Sequence, residues 1–137
     1  MQNVSKDTKI EMKSINDQTN IYMVMDENLN FSYLNEVLPR LLGFSEEILS
    51  GSSFIDYSHP NISDKLFSDM KKSLEEKQKW DGLLQLIVKD SGETVWLDVY
   101  FIKSVNGNSY TGTGKVPSDE VLIDMKETLY KKYSNLD

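Results

Sequence analysis

Apolar residues along this chain change period several times, and the changes mark out a small sheet interrupted by short helices. Residues 21–26, Ile-Tyr-Met-Val-Met-Asp, predict a strand. Asp26-Glu27-Asn28 has turn chemistry, and Phe31-Ser32-Tyr33-Leu34 predicts a second strand, so the pair forms a hairpin. A helix is expected to start near Asn35, which can cap it. Val37, Leu38, Leu41 and Leu42 then fall on one face, and Pro39 fits only the first turn. Gly43 ends that helix. Ser45 caps a second short one, with Glu46 and Glu47 at its positive end, and Gly51 stops it. Residues 52–61 read as irregular.

Over 62–77 the spacing predicts the strongest helix. Ile62, Leu66, Phe67, Met70 and Leu74 form its apolar stripe, and the Lys/Glu run beside them is its solvated face. Three strands follow, near 80–88, 93–103 and 108–116, joined by turns containing Gly92 and Gly107, which predicts an antiparallel meander. In the middle strand Val95, Leu97, Val99 and Phe101 share one face, expected to line the core. Thr94, Trp96, Asp98, Tyr100 and Ile102 share the other. Two large rings on an outer face call for a cover, either a flanking helix or a second copy of the domain. The strand before it is apolar on both parities (Leu83, Leu84, Leu86, Ile87, Val88), so its inward face stays open, and with it the direction of Gln85. A final helix over 118–133 is capped by Ser118. Leu122, Met125, Leu129 and Leu136 fit about two heptads, so a longer signalling helix is expected to continue past the chain's end. Residues 1–19 form a polar leader with a faint apolar stripe of Ile10, Met12 and Ile15, compatible with a short helix.

Composition narrows the function. A chain of 137 residues with 39% hydrophobic content supports one folded domain. Its net charge of −7 argues against binding a nucleic-acid backbone. The absence of cysteine removes disulfides, thiolate metal sites and cysteine photochemistry. No apolar run is long enough for a membrane span and the first residues lack signal-peptide character, so a cytoplasmic location is expected. No Ser-His-Asp ordering, HExxH, P-loop or GxGxxG occurs, and an enzyme is not expected.

The order of hairpin, Asn35-led helix, Gly-Phe-Ser-Glu-Glu-Ile-Leu-Ser-Gly (43–51), His59-Pro60-Asn61, amphipathic helix, Trp80-Asp81-Gly82, Lys-Asp-Ser-Gly (89–92) and Trp96 resembles a PAS domain over roughly residues 20–117. His59-Pro60-Asn61 followed by a helix and Trp80 is particularly similar to the aerotaxis-receptor type. The resemblance implies an α+β fold: a five-stranded antiparallel sheet in the order 2-1-5-4-3, short helices on one face, and flanking N- and C-terminal helices. It divides the chain into a leader (1–19), a sensor domain (20–117) and a linker helix (118–137). It also implies a cytoplasmic signalling protein that senses and dimerises, coupled to a chemoreceptor, kinase or cyclase type of output.

The resemblance leaves the cofactor open among a flavin such as FAD, haem, a small-molecule ligand and none. In the flavin-holding type a basic residue, a His and an Asp precede the long helix. Here Ser58 and Asn61 replace the first and last, which removes charged contacts to a dinucleotide. His59, the single histidine, can contact a flavin, ligate haem iron, or tie down the start of the following helix. Trp80 can stack on a flat ligand or seal the core. Asn35 can touch a pocket, or tie strand to helix. Gln85 can meet a ligand's polar edge if it faces inward. Trp96 and Tyr100, on the outer face, are the candidate dimer contacts. Two functions follow: a ligand-gated sensory domain with an internal pocket, or a homodimerising interaction module with a filled core.

Overall fold

The computed structural model describes residues 20–133. Strands β1 (Ile21–Asp26) and β2 (Phe31–Leu34) form the hairpin, closed by an Asp26 carboxylate that accepts from the amides of Asn28 and Asn30, both at 2.9 Å. Helix α1 (Val37–Leu42) starts two residues after Asn35, and Gly43 closes it in the left-handed conformation that a residue lacking Cβ enters freely. Helix α2 (Glu46–Leu49) is capped by Ser45, whose side chain accepts from the Ile48 amide. The stretch expected to be irregular contains a 3₁₀ turn, Phe54–Tyr57, set by a reciprocal cap between Ser53 and Asp56. Helix α3 (Asp64–Glu76) begins one residue after Ser63, its cap, and buries Leu66, Met70 and Leu74.

Strands β3 (Lys79–Ile87), β4 (Thr94–Lys103) and β5 (Ser109–Lys115) follow, then helix α4 (Asp119–Tyr133). The sheet runs β2-β1-β5-β4-β3, antiparallel throughout. Helices α1 to α3 and the 3₁₀ turn supply the layer over its inner face, where Leu38, Leu49, Phe54, Leu66 and Met70 join the sheet's core residues.

The register settles both strand parities. Leu97, Val99 and Phe101 of β4 are buried on the inner face, in agreement with the expected core set. Opposite them stand Leu84, Gly82 and Trp80 of β3, and Gly114 and Gly112 of β5 lie beside Val99 and Phe101. Leu84 and Leu86 therefore face inward. Leu83, Gln85 and Ile87 face outward.

Glycine is what lets the large inner-face side chains meet. A Cβ on Gly112 would lie 2.8 Å from Met23 Cγ and 2.9 Å from the Phe101 ring, and one on Gly82 would lie 2.7 Å from the Trp80 ring. The neighbours thus lie directly over bare backbone. Phe101 then reaches Phe54, with centroids 5.3 Å apart, and Phe54 also contacts Phe31 and Phe67 at 6.4 and 6.2 Å. Tilted ring pairs of this kind add roughly 0.5–1.5 kcal/mol each beyond area burial.

Gly112→Ala is expected to lower stability by about 1–3 kcal/mol, the usual cost of overpacking a filled core. Chemical denaturation of the two proteins measures it. An unchanged midpoint would refute the close approach of Met23 and Phe101.

Candidate functional site: the interior, the outer sheet face and the terminal helix

The sequence candidates do not converge on one cavity. Asn35 is buried and its hydrogen bonds are accounted for. Its Oδ1 accepts from the amides of Tyr22 (3.2 Å) and Val37 (3.4 Å), and its Nδ2 donates to the Asn20 carbonyl (3.3 Å). It ties β1 to the start of α1. His59 is half-buried at the edge of β3, where its amide donates to the Gln85 carbonyl at 2.8 Å. Its Nδ1 accepts from the Asn61 amide at 3.0 Å, so the ring braces its own loop. Asn61 is exposed to solvent. Gln85 pairs with Trp96 on the outer face and donates to Thr94 Oγ1 at 2.9 Å, so it is turned away from the interior. Trp80 alone of this set belongs to the inner face. Its ring lies over Gly82 and against Phe101, 5.9 Å between centroids, at the β3 edge where it stays half-buried.

The interior is apolar. Its centre is occupied by Phe54, 2% exposed, among Phe31, Phe67 and Phe101. Among the described residues no buried side-chain nitrogen or oxygen lacks a hydrogen-bond partner. A flavin ring needs a flat slot and polar groups aimed at its edge. Here rings fill the centre, Gln85 faces outward and Asn61 is in solvent, so the residues present do not fit a flavin. Haem fits no better: His59 lies in an edge loop outside the buried cluster, with one ring nitrogen engaged by its own backbone.

The outer face carries the exposed rings. Tyr22, Thr113, Tyr100 and Asp81 are neighbours across four strands, and Val24, Thr111, Ile102 and Lys79 form the next row. Tyr22, Tyr33, Tyr100 and Ile102 are each 38–50% exposed. A cleft of about 370 Å³ opens between Tyr22 and Tyr100 over Thr113 and Gly114.

Trp96 differs from Tyr100 although both share that face. Helix α4 lies over its end of the sheet, and the Lys126 ammonium sits 5.1 Å above the Trp96 ring. Leu83, outward-facing yet buried, forms a cleft wall together with Met125 and Leu129 of α4. The cover expected for the outer face is, at this end, a helix of the same chain. Helix α4 then reaches past the β3 edge to α3. There Tyr133, the helix's one buried side chain, donates its hydroxyl to Asp69 Oδ2 at 2.8 Å, and Lys65 lies 3.5 Å from the same carboxylate. In the sequence Tyr133 recurs at four-residue spacing with Met125 and Leu129, a signal that it shares their helix face. Asp69, on the wet face of α3, gave no signal of its own.

A profile of the PAS fold family matches residues 13–114. The chain belongs to the PAS family. Its fold is similar to that of a PAS domain from Colwellia psychrerythraea (TM-score 0.64, 19% identity, 80% of this chain and 96% of that one). It is also similar to the light-state structure of the blue-light photoreceptor Aureochrome1 LOV (TM-score 0.67, 17% identity, 85% of this chain and 95% of that one). The PAS domain of an HTR-like protein from Haloarcula marismortui aligns with a TM-score of 0.59 and 13% identity, over 83% of this chain and 95% of that one. No curated protein matches the chain. Among the described residues of this PAS domain, no helix is long and apolar enough to cross a membrane.

Protonation states tie α4 to the domain. The Tyr133 hydroxyl is pushed well above the usual tyrosine range, first by burial and then by the hydrogen bond to Asp69 and its negative charge. Asp69 is held below the usual carboxylate range, chiefly by the bond from Tyr133, with Lys65 and Lys132 adding to it. A raised tyrosine contributes stability below its unfolded value of about 10 and loses it as pH rises through the folded value. A depressed aspartate contributes above about 4 and loses it as pH falls through the folded value. Helix docking is therefore expected to be flat between those limits and weaker outside both. Tyr133→Phe should speed hydrogen exchange in the last turns of α4 at neutral pH, and Asp69→Asn should remove the acid limb. Equal protection in wild type and Tyr133→Phe would show that the bond holds nothing in place.

Proposed function

We propose that this PAS domain is a non-catalytic signalling module that works without a bound cofactor, pairs with a second copy through its outer sheet face, and passes its state to a downstream module through α4. One observation carries the reading: the ring-filled interior, where no buried side-chain nitrogen or oxygen of the described residues lacks a partner, beside an outer face bearing exposed Tyr22, Tyr33, Tyr100 and Ile102. Aromatic residues that cover area at low entropic cost suit an interface centre. The rows on this face run through the middle of the sheet, so a second sheet could lie flat against them. The aerotaxis-receptor likeness of His59-Pro60-Asn61 and Trp80 favours a chemoreceptor, kinase or cyclase type of output. Coupling of about 1–3 kcal/mol between pairing and α4 docking is enough to shift populations several-fold.

An internal ligand sensor is the second reading. It has in its favour Met23, Met25 and Met70, adaptable side chains in the core that could yield to a small apolar guest.

Tyr100→Glu places a charge in the centre of the outer face, four residues along β4 from Trp96. The wild-type chain is expected to elute as a dimer at high micromolar concentration and Tyr100→Glu as a folded monomer, with light scattering giving mass and circular dichroism giving fold. A wild type that stays monomeric, or a variant that stays dimeric, would refute the outer-face interface.

A further inference from the structure

A second cleft, of about 330 Å³, lies between α4, the edge strand β3 and α3. It shares Asp81 with the β3 end of an outer-face row, and Leu66 and Trp80 with the edge of the core. Its apolar lining comprises Leu83 from the strand, Met125 and Leu129 from the helix, and the half-buried ring of Trp80. Gly82 leaves the Trp80 ring lying on backbone with one side against Phe101, and the half-buried indole also lines the cleft. The indole N–H makes no hydrogen bond among the described residues. The volume is at the small end of the range that takes compact organic ligands.

The rim decides the ligand's charge. Asp81 on β3 and Asp124 on α4 are both exposed, and neither carboxylate has an ion pair or hydrogen bond among the described residues. The third nearby acid, Asp69, is already engaged by Tyr133 and Lys65. The one cation on the lining, Lys132, lies over the Tyr133 ring with its ammonium 5.5 Å from the centroid. Two unpaired carboxylates around an aromatic and aliphatic well complement a cation carrying a flat apolar body, and an indole face adds attraction for such a group. An anion would meet two like charges.

We infer that this cleft binds a small aromatic amine, whose ring would pack between Trp80, Leu83 and Leu129 and whose ammonium would sit between Asp81 and Asp124. A guest held by β3 on one side and α4 on the other stabilises the docked helix, since it binds the closed arrangement and not the open one. The site goes beyond the dimer reading and does not require it.

Trp96→Phe leaves Trp80 as the single tryptophan and makes its fluorescence a direct probe. Titration with benzylamine is expected to give a saturable change in the millimolar range or tighter, with weaker binding of benzyl alcohol and none of benzoate. Adding Asp81→Asn and Asp124→Asn, both on the surface, should weaken benzylamine by about 2–5-fold for each carboxylate removed. Adding Tyr33→Glu, on the outer face at the opposite edge of the sheet, should leave binding unchanged, which separates this site from the dimer interface. Hydrogen exchange in α4 should slow with benzylamine and not with benzoate. No saturable response, equal response to the three probes, or full affinity in the double Asn variant would each overturn the assignment.

Discussion

Everything in this domain rests on how little side chain β5 brings to the centre of the sheet. Gly112 and Gly114 face the core where a Cβ would press on Met23, Phe101 and Val99. Bare backbone there lets side chains from both neighbouring strands lean together above it. The interior of the curved sheet is thereby closed by Phe101, and Phe54 arrives from the opposite layer to complete the closure. Phe54 can do so because Ser53 and Asp56 satisfy each other's backbone and fix the turn that carries it. A PAS scaffold that could hold a hollow is here spent on packing.

Among the described residues every buried side-chain nitrogen and oxygen has a hydrogen-bond partner, and the unpaired groups lie on two surfaces. One is the set of tyrosine and isoleucine rows across the middle strands. The other is the seam where α4 crosses the β3 edge. The two share β3 and β4: Tyr100 is two residues from Asp98 and four from Trp96 along one strand, so events at either surface act on the same backbone.

Much of the fold was legible from residue order. The aliphatic parity of Leu97, Val99 and Phe101, the serine caps at 45 and 118, and the stripe of α3 all survive in the structure. The strand order came from the family likeness. The inward face of β3 was not legible, because Leu83 is apolar for a reason lying far along the chain: α4 covers it on the outer side. Gln85 was undecidable on the same account. The bracing of Asn61 by His59 is local, yet a His-Pro-Asn string reads as well for a ligand loop as for a turn. Asp69 and Tyr133 are 64 residues apart, and a carboxylate among lysines on a helix looks like any solvated charge until the partner is placed beside it. The interior glycines were a missed clue. Glycine inside a strand pattern often signals close approach of a neighbour.

Helix α4 is pinned at its extremities. Ser118 receives the amide of Val121 at its first turn, Pro117 before it is buried, and Tyr133 is held at its last. Between those points the side chains are half-buried at most. An α-helix of this length extends about 22 Å. It is in effect a lever with its fulcrum at the proline, so letting go at the tyrosine and tilting by ~10° would sweep the tip through about 4 Å. Loss of the Asp69 contact would thus free a tip whose travel is set by the length of the helix and not by the size of the disturbance that released it.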